Sequence, residues 1–134
     1  MVLHESKYAK IELDDDLSMI THTWTYRTTE MVEKEFKEEM TILADFFKKY
    51  RPKRVLVDQR NFFFTILPAL QQWIDINVNK ILYDNNCQKV AFVVSPDVLA
   101  KLTTDQTFES GYSSQLNVKF FDNIVEAREW IKQD

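Results

Sequence analysis

The segment Arg54-Val55-Leu56-Val57-Asp58 is a short apolar run with a charged residue at each end. A strand of this kind is usually buried on both faces, as the central strands of parallel sheets are. Residues 89–94 (Lys-Val-Ala-Phe-Val-Val) and residues 117–121 (Asn-Val-Lys-Phe-Phe) follow the same pattern further along the chain. Strands that alternate with helical segments predict parallel pairing and right-handed crossovers, and therefore an α/β domain.

The longest helical segment precedes the first of these strands. Its apolar residues recur at the spacing of one helical face, at Val32, Phe36, Met40 or Glu39, Leu43 and Phe47. Thr28 or Thr29 is expected to cap its N-terminus, and Pro52 to stop it. The pattern predicts an amphipathic helix of about 20 residues that packs on the sheet.

Three further helices are predicted between and after the strands. Pro68 begins the second, because proline suits the first helical position, and its expected buried stripe is Leu70, Trp73, Ile74, Asn77 or Val78, and Ile81. Ser95 caps the third, and Asp122 is expected to cap the last. The polar residues 103–114 between them contain the single glycine and predict a loop, which is either a lid or a plain connection.

The N-terminal part of the chain predicts a hairpin. Residues 2–13 contain a short alternating run, three aspartates at 14–16 mark a turn, and residues 18–26 alternate again with many threonines and aromatics. The hairpin would add an antiparallel edge to the parallel strands. We therefore predict one domain over residues 1–134, with a mixed, mostly parallel sheet, an N-terminal β-hairpin and flanking helices.

Composition excludes several function classes. The 134 residues include 17 Lys and Arg and 21 Asp and Glu, a net charge of −4, so the basic surface of a duplex-binding protein is absent and no nucleic-acid partner is expected. One glycine excludes a P-loop and a dinucleotide-binding fingerprint. One cysteine, Cys87, excludes an internal disulfide and a multi-thiolate metal site. Without a signal peptide or an apolar membrane span, a cytoplasmic protein is expected.

The chain resembles the STAS superfamily, and specifically its SpoIIAA-like branch. The ending Phe120-Phe-Asp-Asn-Ile-Val-Glu-Ala-Arg-Glu-Trp-Ile131 is similar to the aromatic, acid or turn residue, Glu-Ala and Trp-Ile of that branch, and residues 55–58 fit one of its strands. The resemblance implies a regulatory or binding module. Anti-sigma-factor antagonists of this type are phosphorylated at a Ser or Thr, typically in Asp-Ser followed by glycine. Residues 58–68 lack that motif, and only Thr65 offers a hydroxyl in the right neighbourhood.

Three consecutive aromatics, Phe62, Phe63 and Phe64, follow the strand at residues 54–58. Ligands of open α/β sheets bind beyond the carboxyl ends of the strands, where this segment emerges. Three adjacent rings cannot all point into one core, so at least one should be exposed or cover a cavity. Core packing, a contact with a protein partner, and an apolar-ligand pocket shared with Trp73 all remain open.

The polar candidates each have a structural interpretation beside a functional one. Asp58 and Ser95 are expected at the same sheet end and could share a crevice with Thr65, but capping and ion pairing also explain them. Thr65 is either a phosphate acceptor or an N-cap. His22 is expected on the sheet surface, and Cys87 is expected to be a small buried hydrophobe.

These observations predict a non-enzymatic regulatory or protein-interaction module that self-associates as a homodimer through residues 62–64 and the first turn of the Pro68 helix. The alternative is a binder or carrier of a small apolar, lipid-like ligand at the carboxyl end of the sheet. No catalytic constellation, metal site or cofactor is predicted. An enzyme would need Asp58, Ser95 and His22 to converge in one cleft.

Overall fold

The computed structural model describes residues 1–104 and 111–133, without the side chains of residues 103 and 104. Six strands form one sheet in the order β1-β2-β3-β4-β5-β6. Their bounds are β1 Val2–Glu5, β2 Ala9–Asp14, β3 Met19–Trp24, β4 Arg54–Asp58, β5 Lys89–Val93 and β6 Val118–Phe121. Strands β3 to β6 pair in parallel, and β1, β2 and β3 pair antiparallel. The predicted α/β class with a mixed, mostly parallel sheet is confirmed.

The predicted N-terminal strand is two strands. The chain reverses at residues 6–8, so β1 and β2 pair with each other before β2 pairs with β3. The hydroxyl of Ser6 accepts hydrogen bonds from the backbone N–H groups of Tyr8 and Ala9, both at 3.2 Å. The side chain therefore satisfies two N–H groups of the turn. The alternation over residues 2–13 resembles that of one strand, because β1 has only 4 residues and β2 only 6.

The two faces of the sheet carry separate clusters. On one face Ile20, Val55 and Val90 are buried beneath α1 (Glu33–Tyr50). On the other face the buried Leu56 and Ala91 pack with Ile131 of α5 (Ile124–Lys132). Because side chains alternate along each strand, every strand at the centre contributes to both clusters, as the apolar runs predicted.

Helix α1 buries the predicted face at Phe36, Met40, Leu43 and Phe47, which pack against the sheet, but Val32 precedes the helix and is 58% exposed. Its predicted start was wrong. Thr28 lies in a 3₁₀ turn (Tyr26–Glu30), and Val32 is the N-cap residue. The Glu35 carboxylate accepts a hydrogen bond from the Val32 N–H at 3.1 Å. This glutamate in the first turn therefore helps to cap the helix, a role that the sequence assigned to a threonine.

The second predicted helix contains a π-helical turn. Helix α2 (Pro68–Ile74) runs directly into the π-helical turn (Asp75–Asn79) and then into α3 (Lys80–Asp84). The buried residues are Leu70, Val78 and Leu82, rather than the whole stripe expected from a regular α-helix. A π turn contains more residues than an α turn, so the buried positions shift toward a spacing of four.

Two capping predictions differ in outcome. Ser95 precedes α4 (Pro96–Thr104), and its hydroxyl accepts the Val98 N–H at 3.3 Å. Asn123, not Asp122, caps α5, because its side chain accepts the N–H groups of Val125 and Glu126. Of the predicted loop 103–114, residues 105–110 lie outside the described residues, and Tyr112–Gln115 form a 3₁₀ turn. No helix of the described ranges is long and apolar enough to span a membrane.

Candidate functional site

A cavity of about 920 Å³ lies between the sheet and the helices that cover its α1 face. Its floor is built by register: His22 of β3 lies beside Val57 of β4, Val57 beside Phe92 of β5, and Phe92 beside Phe120 of β6. The rings of Phe92 and Phe120 stack with centroids 5.1 Å apart. This row is apolar except for the imidazole of His22.

The walls of the cavity are mostly apolar and aromatic. Helix α1 contributes one side, the π-helical turn and α3 contribute the other, and the segment after β4 closes one end. The apolar wall residues are Trp24, Phe36, Met40, Leu43, Phe47, Phe62, Ile66, Ile74, Val78, Leu82 and Leu116. An apolar lining with a few polar groups is typical of small-molecule sites.

The mouth of the cavity lies between two exposed borders. One border is formed by Pro68, Gln71, Gln72 and Ile76 of the helix, and the other by Gly111, Ser113 and Ser114. The amides and hydroxyls of the mouth are uncharged. Among the described lining residues, Asp75 carries the only carboxylate, and there is no Lys or Arg.

Asp75 joins the two borders of the mouth. Its carboxylate accepts the backbone N–H of Tyr112 at 3.0 Å and that of Ser113 at 3.1 Å, and the Asn79 amide donates to it at 3.3 Å. The neighbouring Gly111 has φ +72°, and a Cβ atom there would lie 2.9 Å from the Asp75 carboxyl carbon. The only glycine of the chain therefore lies where the backbone is too close to this carboxylate to leave room for a side chain.

His22 is the buried polar group of the site. It is 1% exposed, lines the cavity, and its Nε2 has no hydrogen-bond partner among the described residues. Burial lowers the pKa of His22 to about 3, with a smaller contribution from His4, so the imidazole is neutral at pH 7. Its ring lies 4.5 Å from that of Trp24.

The prediction that His22 lies on the sheet surface was wrong. Thr21 and Thr23 are on the opposite face of β3, whereas His22 lies between Ile20 and Trp24 on the buried face. The signal was present in the alternation, since residues at i and i+2 of a strand share a face. Because large apolar residues flank this histidine at both i−2 and i+2, the alternation predicts that its side chain points into the interior.

The three consecutive phenylalanines have three different environments. Phe62 lines the cavity with its ring 4.8 Å from that of Trp24, and Phe64 stacks on Phe36 at 5.0 Å. Phe63 is 56% exposed. Trp73 is half-buried beside Lys37, whose ammonium lies 5.5 Å from the ring centroid, and it does not line the cavity.

Thr28 fixes the segment that carries these rings. Its buried hydroxyl accepts the N–H of Phe63 at 2.9 Å and lies within hydrogen-bond distance of the carbonyls of Thr25 and Asn61. The 3₁₀ turn after β3 is thereby joined to the loop after β4. Sequence reasoning missed this residue because a threonine before a helix resembles a cap.

The other predicted polar residues do not gather at the cavity. Asp58 is held by Arg60 through bonds of 2.7 and 3.0 Å; burial opposes its ionisation, but these bonds outweigh burial and lower the pKa of the carboxyl. Ser95 caps α4, and neither residue lines the cavity. Thr65 is exposed and is not the cap of α2, whose N-cap residue is Leu67. Proline at the first helical position reduces the need for a capping side chain, because it has no N–H.

Cys87 has the environment of a structural thiol. Burial raises the pKa of its thiol to about 11, so the group stays protonated at neutral pH. Its Sγ lies 3.6 Å from the carbonyl oxygens of Lys53 and Lys89. Within residues 1–104 and 111–133, no group of three or more His, Cys, Asp and Glu side chains is arranged to hold a metal ion.

Comparison with known proteins identifies the family. A model of the SpoIIAA-like family matches residues 21–132, which include most of β3 and every later strand and helix. The chain belongs to the SpoIIAA-like family. This confirms the resemblance predicted from residues 55–58 and 120–131, and it supports a STAS-type module, a class that is commonly regulatory. No curated protein and no solved structure matches the chain.

Proposed function

We propose that this SpoIIAA-like chain is a non-enzymatic binding module that holds a small, mostly apolar molecule between its sheet and its helical layer. The observation that carries the proposal is the cavity of about 920 Å³ with an apolar and aromatic lining. Ligand sites of proteins usually measure about 300–1,000 Å³ and combine such a lining with a few polar groups.

The energetic cost of the cavity supports this function. Protein interiors are close-packed and contain few voids larger than a water molecule, because atoms that line a void lose dispersion contacts. Here Phe62, Phe92 and Leu116 line the cavity and are only half-buried, so part of each side chain is not packed against protein. A ligand would supply the contacts that these side chains lack.

The floor of the cavity lies close to the carboxyl ends of the strands, the region where the sequence predicts a pocket. Val57, Phe92 and Phe120 are the next-to-last residues of β4, β5 and β6. The lining also extends toward the amino ends of these strands and is covered by the helical layer. The helical layer, with its π-helical turn, therefore determines the shape of the site as much as the strand ends do.

Native mass spectrometry of the purified chain tests the proposal. We expect the wild-type protein to retain added 1-decanol at one molecule per chain, because the cavity can enclose it. Val57→Phe, which places a ring in the cavity floor, should reduce the retained fraction, whereas Val125→Phe on the exposed side of α5 should not. Equal retention by all three proteins would mean that the alcohol binds elsewhere.

Self-association is a second proposed function, and it concerns a different surface. Phe63 is 56% exposed, Leu67 65% and Tyr26 70%, and the hydrogen bonds of Thr28 join the segments that carry Phe63 and Tyr26. Exposed large apolar side chains on adjacent segments are typical of protein contacts. We propose that this apolar surface pairs two copies of the chain as a cytoplasmic homodimer, with residues 1–134 acting as one domain.

A further inference from the structure

The cavity has one polar atom in its floor that the fold does not satisfy. Nε2 of His22 is buried and has no hydrogen-bond partner among the described residues, although buried polar side chains are nearly always paired. Its neighbours in the row and on the strand, Val57 and Trp24, offer no acceptor or carboxylate to it. A ligand that fills the cavity would therefore gain affinity from a group that pairs with this nitrogen.

The charges around the cavity restrict that group further. The described lining contains no Lys or Arg, and its one carboxylate, Asp75, already accepts two backbone N–H groups. A buried anion needs a cation or several donors to offset its desolvation. A carboxylate or phosphate inside this cavity would find a neutral imidazole, uncharged amides and the negative charge of Asp75.

We propose that the cavity selects uncharged, mostly apolar ligands whose hydrogen-bonding group pairs with Nε2 of His22, and that it discriminates against anionic amphiphiles of the same length. This inference rests on the proposed ligand-binding function and names the ligand class of that site. Long-chain alcohols, amides and ketones have the required chemistry. Fatty acids and phospholipid headgroups do not.

The neutral state of the imidazole agrees with this selection. Burial holds the pKa of His22 near 3, so the ring carries no positive charge that could attract an anion at neutral pH. A neutral imidazole has one donor and one acceptor nitrogen, and either tautomer can pair with an alcohol. An ionised carboxylate could accept from one tautomer, but its buried charge would have no cation to offset its desolvation.

Competition with a neutral fluorescent probe, N-phenyl-1-naphthylamine, tests the inference at pH 7. Wild-type protein loaded with the probe is titrated with 1-decanol and with decanoate, which have chains of equal length. We expect decanol to displace the probe at concentrations about tenfold or more below those of decanoate. His22→Phe should reduce the ratio of the decanoate concentration to the decanol concentration needed for displacement, because decanol loses its partner nitrogen, whereas His4→Gln, at the other histidine, should preserve this ratio. The probe affinity of each variant is measured separately and used to correct its displacement curves.

A second measurement covers the case in which His22→Phe does not fold. The ¹⁵N resonance of His22 Nε2 in wild-type protein should shift on addition of decanol and stay in place on addition of decanoate. Equal affinity for decanol and decanoate, or an unchanged Nε2 resonance in the decanol complex, would overturn the inference while probe binding still supported the ligand-binding function. Failure of both the probe and decanol to bind wild-type protein would overturn the function and this inference together.

Discussion

The Asp75 carboxylate lies against the backbone at Gly111, the only glycine of the chain, and this contact joins the two borders of the cavity mouth. A π-helical turn positions Asp75, and a positive φ positions Gly111. Both are unusual backbone conformations, and π turns occur frequently at functional sites. The contact between these two conformations at the mouth indicates that this border belongs to the functional site.

Gly111→Ala should open this border locally. Alanine at this position would have φ +72° and ψ −159°, a region that is essentially confined to glycine, at a cost of about 1–3 kcal/mol. Its Cβ would also collide with the Asp75 carboxyl group. Amide hydrogen exchange of Tyr112 and Ser113 should accelerate about tenfold or more, because their bonds to Asp75 would be lost. Gln115→Ala, in the same segment, serves as the control, and unchanged protection in Gly111→Ala would contradict this role.

The buried His22 should make the free energy of unfolding depend on pH between about 6.5 and 3. Its pKa is about 3 in the folded chain and 6.5 as a model value, so the unfolded state binds the extra proton in this range. The contribution of the neutral imidazole to the free energy of unfolding is present above pH 6.5 and decreases as the pH falls, by roughly 2 kcal/mol between pH 7 and pH 5. Carboxyl groups with lowered pKa, such as Glu35 and Asp58, lose their contribution only at lower pH.

Urea unfolding at a series of pH values measures this dependence. His22→Phe should remove most of the loss between pH 7 and pH 5, because a phenyl ring takes up no proton. His4→Gln is the matched control and should retain the wild-type slope. A His22→Phe protein that loses stability as steeply as the wild type would show that His22 is not the group responsible.

Thr28→Val should destabilise the chain by about 1–3 kcal/mol. The substitution keeps the shape of the buried side chain but leaves the N–H of Phe63 without its acceptor and removes the donor to the neighbouring carbonyls. Chemical denaturation measures the change in free energy of unfolding. The exposed Thr29→Val should stay within about 0.5 kcal/mol of wild type, and equal effects of the two substitutions would exclude the bridging role of Thr28.

Phe63→Asp tests the proposed homodimer. Sedimentation velocity at increasing protein concentration should show wild-type dimers and monomeric Phe63→Asp, because a carboxylate in an apolar contact is costly to desolvate. Val125→Asp adds the same charge at a similarly exposed position, 58% against 56%, and should remain dimeric. A monomeric wild type, or a dimeric Phe63→Asp variant, would refute association through this surface.

Sequence reasoning predicted the fold because its signals were local. The apolar run at residues 54–58 predicted a buried strand, and the structure has one there. The helical spacing predicted a buried face of α1, which contains Phe36, Met40, Leu43 and Phe47. The tail at residues 120–131 pointed to the SpoIIAA-like family, which the match over residues 21–132 confirms. The turn at residues 6–8 and the start of α1 were missed because they depend on individual hydrogen bonds of Ser6 and Glu35.

The candidate site was less accessible to the same reasoning. Phe62 was recognised as a candidate, but the cavity depends on how far the helices stand from the sheet, and no local pattern records that distance. The π-helical turn is a further example, since its sequence resembles an ordinary amphipathic helix. Asp75 and Gly111 are 36 positions apart and acquire their relationship only when the helix and the segment before β6 meet.

Binding of N-phenyl-1-naphthylamine, followed by its fluorescence, tests the central claim most directly. The neutral, mostly apolar probe should bind wild-type protein saturably at one site per chain and fluoresce more strongly in the cavity than in water. Val57→Phe should weaken binding at least tenfold, and Val125→Phe should bind as wild type does. Absence of saturable binding to the wild type, or equal binding by Val57→Phe, would contradict the claim that this cavity is the functional site of the chain.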